Sequence, residues 1–214
     1  MIRRRRASRR ERQLRRHAIE TSRRGLKAIV DALLEAIQPA VIGHNHCIVS
    51  SRLLIDVLSS VGVEAVPMSC ILHARNAACC RDPDAPDALE HIIGDLRDGR
   101  VYPGHLIVAT KLDKWHLVDA AISQVAQVER GIPDAGALIE PITSPDLISN
   151  GGQAVFEAPC GAQFEYAVLP PRPPFDEWYR DTDDWNWESE PKQAYIDMIL
   201  RLAMQAHKSR RVTP

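Results

Sequence analysis

The sequence predicts an α+β protein in which N-terminal helices pack on a mostly antiparallel sheet and a C-terminal helix closes the chain. Three observations predict it. Leu26, Ile29, Val30, Leu33, Leu34 and Ile37 recur at the spacing of one helix face, and so do Val49, Leu53, Leu54, Val57, Leu58 and Val61. From Val63 to Leu169 the apolar residues instead alternate, or run in short β-favouring stretches broken by Gly, Pro and Asp. Tyr195, Ile196, Ile199, Leu200 and Ala203 then return to helical spacing. Helices, then strands, then a helix is the order of an α+β chain.

At 214 residues and 45% hydrophobic, the chain can bury one core with appendages. The expected organisation is an Arg-rich arm over 1–24, a core over 25–169, and a Pro/Trp-rich connector with a helix over 170–214. The arm has eleven Arg against two Glu, a net of +9. The remainder has sixteen Lys or Arg against twenty-six Asp or Glu, a net of −10. Arg3, Arg4, Arg5, Arg6, Arg9 and Arg10 therefore suit nucleic acid or an anionic surface, or the chain's own acidic body. No apolar run reaches the roughly 18 residues of a membrane helix, and no apolar stretch before residue 26 resembles a secretory signal. Five cysteines, two of them adjacent, read as reduced cytoplasmic thiols rather than a disulfide framework.

Taken in order, a helix sets in near Arg12 and its apolar face ends at Gln38-Pro39, since proline disfavours helix in the residue before it. Ala40 to Gly43 approaches a loop, Asn45 is a candidate N-cap, and the next helix starts by Cys47 and ends with Gly62 at C′. Val63 to Leu72 reads as a strand, residues 74–88 as a loop, and Ala88 to Leu96 as a short helix. Val101 to Leu112 and Trp115 to Ile122 are strands about a turn at Asp113-Lys114. Residues 130–152 read as irregular. Gln153–Glu157 and Gln163–Leu169 form a second hairpin, and the last helix spans about 192–205.

Gly43-His44-Asn45-His46-Cys47 is the stretch with chemistry in it. A thiol at a helix start sits among unpaired N–H groups at the positive end of the helix dipole, which favours the thiolate, the form that attacks carbonyl carbon. A thiol nucleophile needs a base, and the base needs an orienting acceptor. His105 at the start of one strand and Asp119 at the end of the next can supply them. Strand parity tests the pairing. A two-residue turn puts His105 and Asp119 on opposite faces, whereas a three-residue or bulged turn pairs 111 with 115 and brings them to one face. The oxyanion donors expected are the Cys47 N–H and the side chains of His44, Asn45 or His46.

Three motifs resemble the transglutaminase-like superfamily of papain-like Cys-His-Asp proteins. They are Cys47 opening a helix that leads to Gly62-Val63-Glu64-Ala65-Val66, His105 before alternating hydrophobics, and Trp115 four residues before Asp119. The resemblance covers about residues 43–124. It departs where the family often has Ala-Trp after the histidine and Pro-Thr after the aspartate, against Leu106-Ile107 and Ala120-Ala121 here. It implies a papain/transglutaminase-like core, with Cys47 as nucleophile, His105 as base and Asp119 as orienter. Asn45, His46 and Trp115 are then the expected oxyanion or substrate contacts. Acyl transfer through a thioester follows, on a peptide or amide substrate, by a peptidase, amidase, deamidase or transglutaminase; no cofactor is required.

Other readings stand beside this one. His44, His46 and Cys47 with His73, Cys79 and Cys80 offer imidazole and thiolate for zinc, without the usual Cys-x₂-Cys spacing. A non-catalytic adaptor could keep the fold and bind an anionic partner through its arm. Phe175, Trp178, Tyr179, Trp185 and Trp187, among acidic residues, form either a packed C-terminal wrap or the wall of a cleft. Cys70, Cys160 and His116 read as structural.

Overall fold

A computed structural model describes residues 23–37, 46–94, 104–144, 146–171, 178–186 and 190–209. The expected helix from Arg12, the Asn45 cap, the approach to the Cys47 loop and nearly all of the basic arm lie outside these residues. Helix α1 (Arg23–Ile37) buries the predicted stripe of Leu26, Ile29, Val30, Leu33 and Ile37. Helix α2 (His46–Ser60) buries Val49, Leu53, Leu54, Val57 and Leu58. It ends as expected at Gly62, whose φ of 83° suits only glycine well. The Gly62 N–H bonds Ser59 O at 3.1 Å and the Val63 N–H bonds Leu58 O at 3.0 Å, the two bonds of a Schellman cap.

The chain then enters a seven-stranded sheet in the order β5-β4-β3-β1-β7-β6, with β2 also on β1. The strands are β1 (Glu64–Arg75), β2 (Glu90–Ile93), β3 (His105–Lys111), β4 (Trp115–Asp119), β5 (Leu138–Pro141), β6 (Gly152–Glu157) and β7 (Gln163–Val168). Every pairing between them is antiparallel. The long β1 pairs with β3 over Glu64–Cys70 and with β7 over Cys70–Arg75. Pro67 is tolerated because β7 has not yet joined at that point, leaving one side of the strand as an edge.

One core lies between the sheet and helices α1, α2 and α5 (Glu190–Ser209), where Val108 and Val118 meet Leu54, Leu58 and Ile199. The second core lies on the other face, where Met68, Cys70, Leu72, Ile107, Leu117, Phe164 and Tyr166 pack together. Strand β3 is buried on both faces, which explains its unbroken apolar run. These elements make the chain α+β, with N-terminal helices and a C-terminal helix around an antiparallel sheet.

Several local expectations are corrected. The helix expected over 88–96 is instead β2, because Glu90–Ile93 pairs with Leu72–Arg75. The loop expected over 74–88 contains helix α3 (Ala77–Arg81), capped by the Asn76 side chain, which accepts from Cys79 N. The stretch 130–152 holds β5 and helix α4 (Asp146–Asn150). The third strand stops at Asp119, and a 3-10 turn over Ile122–Val125 follows. Short elements of this kind are held by partners distant in sequence, so their own residues signal them weakly.

Candidate active site

The site begins with one hairpin. Lys111 pairs with Trp115, and a three-residue loop over 112–114 joins β3 to β4. This is the odd loop that strand parity required. Continuing the register puts Asp119 opposite Ile107, so His105, two residues further along β3, shares its face. The side chains close the diagonal: His105 Nε2–H donates to Asp119 Oδ2 at 2.7 Å, with both residues fully buried.

Asp119 accepts twice more, from the Tyr166 hydroxyl at Oδ2 over 2.9 Å and from the Ala121 N–H at Oδ1 over 2.8 Å. Burial alone would lower the pKa of His105. The Asp119 charge and hydrogen bond outweigh it, the Cys47 thiol adds to them, and the imidazole is raised from 6.5 to about 10. The ring's other nitrogen, Nδ1, is buried and closes no hydrogen bond. It is the nitrogen left for Cys47, which acts on the ring electrostatically and as a bonding partner without a closed N–H···S contact.

Cys47 stands in the first turn of α2 and is 7% exposed. The helix is pinned to the histidine strand by Ser51, whose hydroxyl donates to Leu106 O at 3.0 Å. The start of β3 is equally constrained. A Cβ on Gly104 would lie 2.9 Å from Cys70 O, so the residue before His105 must lack a side chain for β3 to meet β1. Cys70 pairs with His105 across the strands and donates to its carbonyl at 3.4 Å. Burial, then Asp119, then Cys47 push the Cys70 thiol well up, so it stays protonated beside the site.

A strap over 178–186 covers the thiol. Tyr179 and Trp185 pack edge to face, with centroids 4.4 Å apart, in one cluster with Cys47, Ile48, Leu106 and Ala121. Trp178 Nε1–H donates to Ser69 Oγ at 3.1 Å, and the Arg52 guanidinium lies 5.0 Å from the centre of the Trp185 ring. Trp178, Tyr179 and Trp185 of the aromatic run thus pack against Cys47, while Phe175 and Trp187 lie outside the described residues.

Of the remaining expected contacts, His46 and Trp115 are among the described residues. His46 is the exposed first residue of α2, where its carbonyl accepts from the Ser50 hydroxyl. Asn45 and His44 lie outside the described residues. Trp115 sits at the opposite end of β4 from Asp119, about 13 Å away at the strand rise, beneath the Lys111 ammonium. His116 packs inward, with Nδ1 against Lys114 O at 3.0 Å. Among the described residues no group of three His, Cys, Asp or Glu side chains is placed to hold a metal, and His73 pairs with Glu90 at 3.0 Å.

Sequence reasoning missed Ser51, Gly104 and Tyr166. Only Tyr166 had a signal, because Phe164 and Tyr166 alternate on a strand and a core tyrosine needs a hydroxyl partner. No protein-family model matches the chain, and neither a curated protein nor a solved structure matches it.

Proposed function

We propose that the chain is a cysteine-dependent acyl-transfer enzyme of the transglutaminase-like, papain-like kind. Cys47 is the nucleophile, His105 the general base and acid, and Asp119 the orienting carboxylate. One observation supports this reading most: the buried 2.7 Å bond from His105 to Asp119 leaves Nδ1 as the nitrogen for the Cys47 thiol. A purely structural histidine is normally satisfied at both nitrogens when it is buried.

The chemistry follows from proton positions. The imidazole, raised to about 10, holds a proton on each nitrogen at neutral pH, so Cys47 attacks the carbonyl carbon of a peptide or amide as the thiolate of an ion pair whose proton already sits on Nδ1. The oxyanion forms beside the α2 N-terminus, where the Cys47 N–H has no intrahelical acceptor. Collapse breaks the C–N bond, the leaving amine takes the proton from His105, and a thioester remains on Cys47. Water or a second amine then attacks the thioester, again through His105, and releases the thiolate. Turnover requires the strap over 178–186 to move, because Cys47 is only 7% exposed beneath it.

The free thiols fit a reducing, cytoplasmic setting. The charge of Arg3, Arg4, Arg5, Arg6, Arg9 and Arg10 supports an additional anionic contact through the arm, such as nucleic acid. The deciding experiment is iodoacetamide labelling with peptide mass mapping between pH 5 and 10. Cys47 labels with a pH profile that His105→Gln abolishes. A Cys47 profile indifferent to His105→Gln overturns the assignment.

A further inference from the structure

We propose that Tyr166 is a positioning residue of this site: its hydroxyl sets the orientation and effective charge of Asp119, and through Asp119 the proton affinity of His105. The proposal rests on the catalytic reading for its importance, but its physical content concerns the His105–Asp119–Tyr166 contacts alone.

The placement of Tyr166 is specific. It lies on β7 opposite Leu72, on the face of β1 that also carries Cys70, and Cys70 in turn opposes His105. Strands β1 and β3 separate β7 from β4, so a flat sheet would hold the two about 14 Å apart. The curl of the sheet instead brings the phenol over the second core to the last residue of β4. Packing alone would be served by phenylalanine, since the ring is fully buried and stacks edge to face with Phe156 at 5.8 Å between centroids.

The hydroxyl does something a phenylalanine cannot. It donates at 2.9 Å to Asp119 Oδ2, the same oxygen that takes the His105 proton at 2.7 Å. With Ala121 N–H on Oδ1, the carboxylate is held at both oxygens and its plane is fixed. That plane aims the imidazole, and so aims Nδ1. The same bond withdraws charge from Oδ2, which weakens the hold of Asp119 on the imidazolium. Among the described residues, the ionisable groups that act at this carboxylate come from four elements: His105 of β3, Tyr166 of β7, Cys70 of β1 and Cys47 of α2, the last through the histidine. Burial and then the Asp119 charge hold Tyr166 well above its ordinary range, so it keeps its proton and donates it to the carboxylate.

The sign is definite. Removing the phenol leaves more charge on Oδ2, favours the imidazolium, and moves His105 deprotonation to higher pH. The test is the His105 titration, followed by nitrogen NMR on ¹⁵N-histidine protein and assigned with His105→Gln. In Tyr166→Phe the midpoint rises by roughly half a unit to one unit, the share of one hydrogen bond to a charged group that this pair would feel. Site-specific 3-fluorotyrosine at 166 keeps the packing and strengthens the donor, so the midpoint falls; this arm decides if the phenylalanine variant does not fold. An unchanged His105 midpoint in a folded variant, with only lowered thermal stability, overturns the proposal and leaves Tyr166 a packing residue. Failure of the catalytic reading is read separately, as Cys47 alkylation that ignores His105→Gln.

Discussion

His105 and Asp119 stand fourteen residues apart in sequence and 2.7 Å apart in space because Lys111 pairs with Trp115. A loop one residue shorter would turn Asp119 to the other face of β4 and leave His105 buried without its carboxylate. The pair is therefore a property of hairpin register before it is a property of either side chain.

Asp119→Asn tests the electrostatic half of that statement. The amide keeps the shape but loses the charge that raises His105 to about 10. Cys47 alkylation at pH 7 is expected to fall by at least about tenfold, since one pKa unit in a coupled group corresponds to a tenfold change in population. Intact-mass kinetics with iodoacetamide measure it, and an unchanged rate would contradict a role for Asp119.

The strap makes a prediction in the opposite direction. Trp185→Ala removes a ring packed on Tyr179 and clustered with Cys47. Cys47 should then label faster, by tenfold or more, as the opening free energy drops by about 1.4 kcal/mol or more. Fully buried Cys70 is the internal control: it stays unlabelled if the fold holds, and exposed Cys160 sets the unhindered rate.

Stability should depend on pH through His105. Its folded pKa, about 10, lies above the ordinary value of 6.5. The contribution is therefore complete below about pH 6.5 and is lost as pH rises toward 10, with a slope of at most about 1.4 kcal/mol per pH unit. Urea unfolding of wild type and His105→Gln across that range isolates it. The stability difference should shrink as pH rises, and a constant difference would mean that the imidazole does not hold its proton.

Asn76 tests the fold away from the site. Its Oδ1 accepts from Cys79 N at 2.8 Å and Leu89 N at 3.1 Å, and its Nδ2 donates to Asp87 O at 2.7 Å and Arg130 O at 2.9 Å. Asn76→Ala leaves these four backbone groups without a side-chain partner and should cost about 3 kcal/mol or more. Denaturant midpoints report the loss. Asn76→Asp should restore only the accepting half.

How much of this was legible beforehand depended on how local each determinant is. Helices α1 and α2 follow from spacings within one segment, and the Gly62 cap from a conformation that glycine alone adopts cheaply. The His105–Asp119 face follows from a parity rule and one loop length. Strands β2 and β5 were misread because they exist by pairing with Leu72–Arg75 and with His116–Asp119, and their own four residues say little. Trp115 enters through the family resemblance, four residues before Asp119, and strand geometry places the two at opposite ends of β4.

By itself, the sequence determined the helical faces, the α+β order, and the condition under which His105 and Asp119 could meet, because periodicity and parity act within a segment or a hairpin. Only the tertiary structure decided that Tyr166 reaches Asp119 from β7 and that residues 178–186 close over Cys47. Those contacts depend on the curl of the sheet and on where a distant segment packs, and such packing leaves no period in the chain.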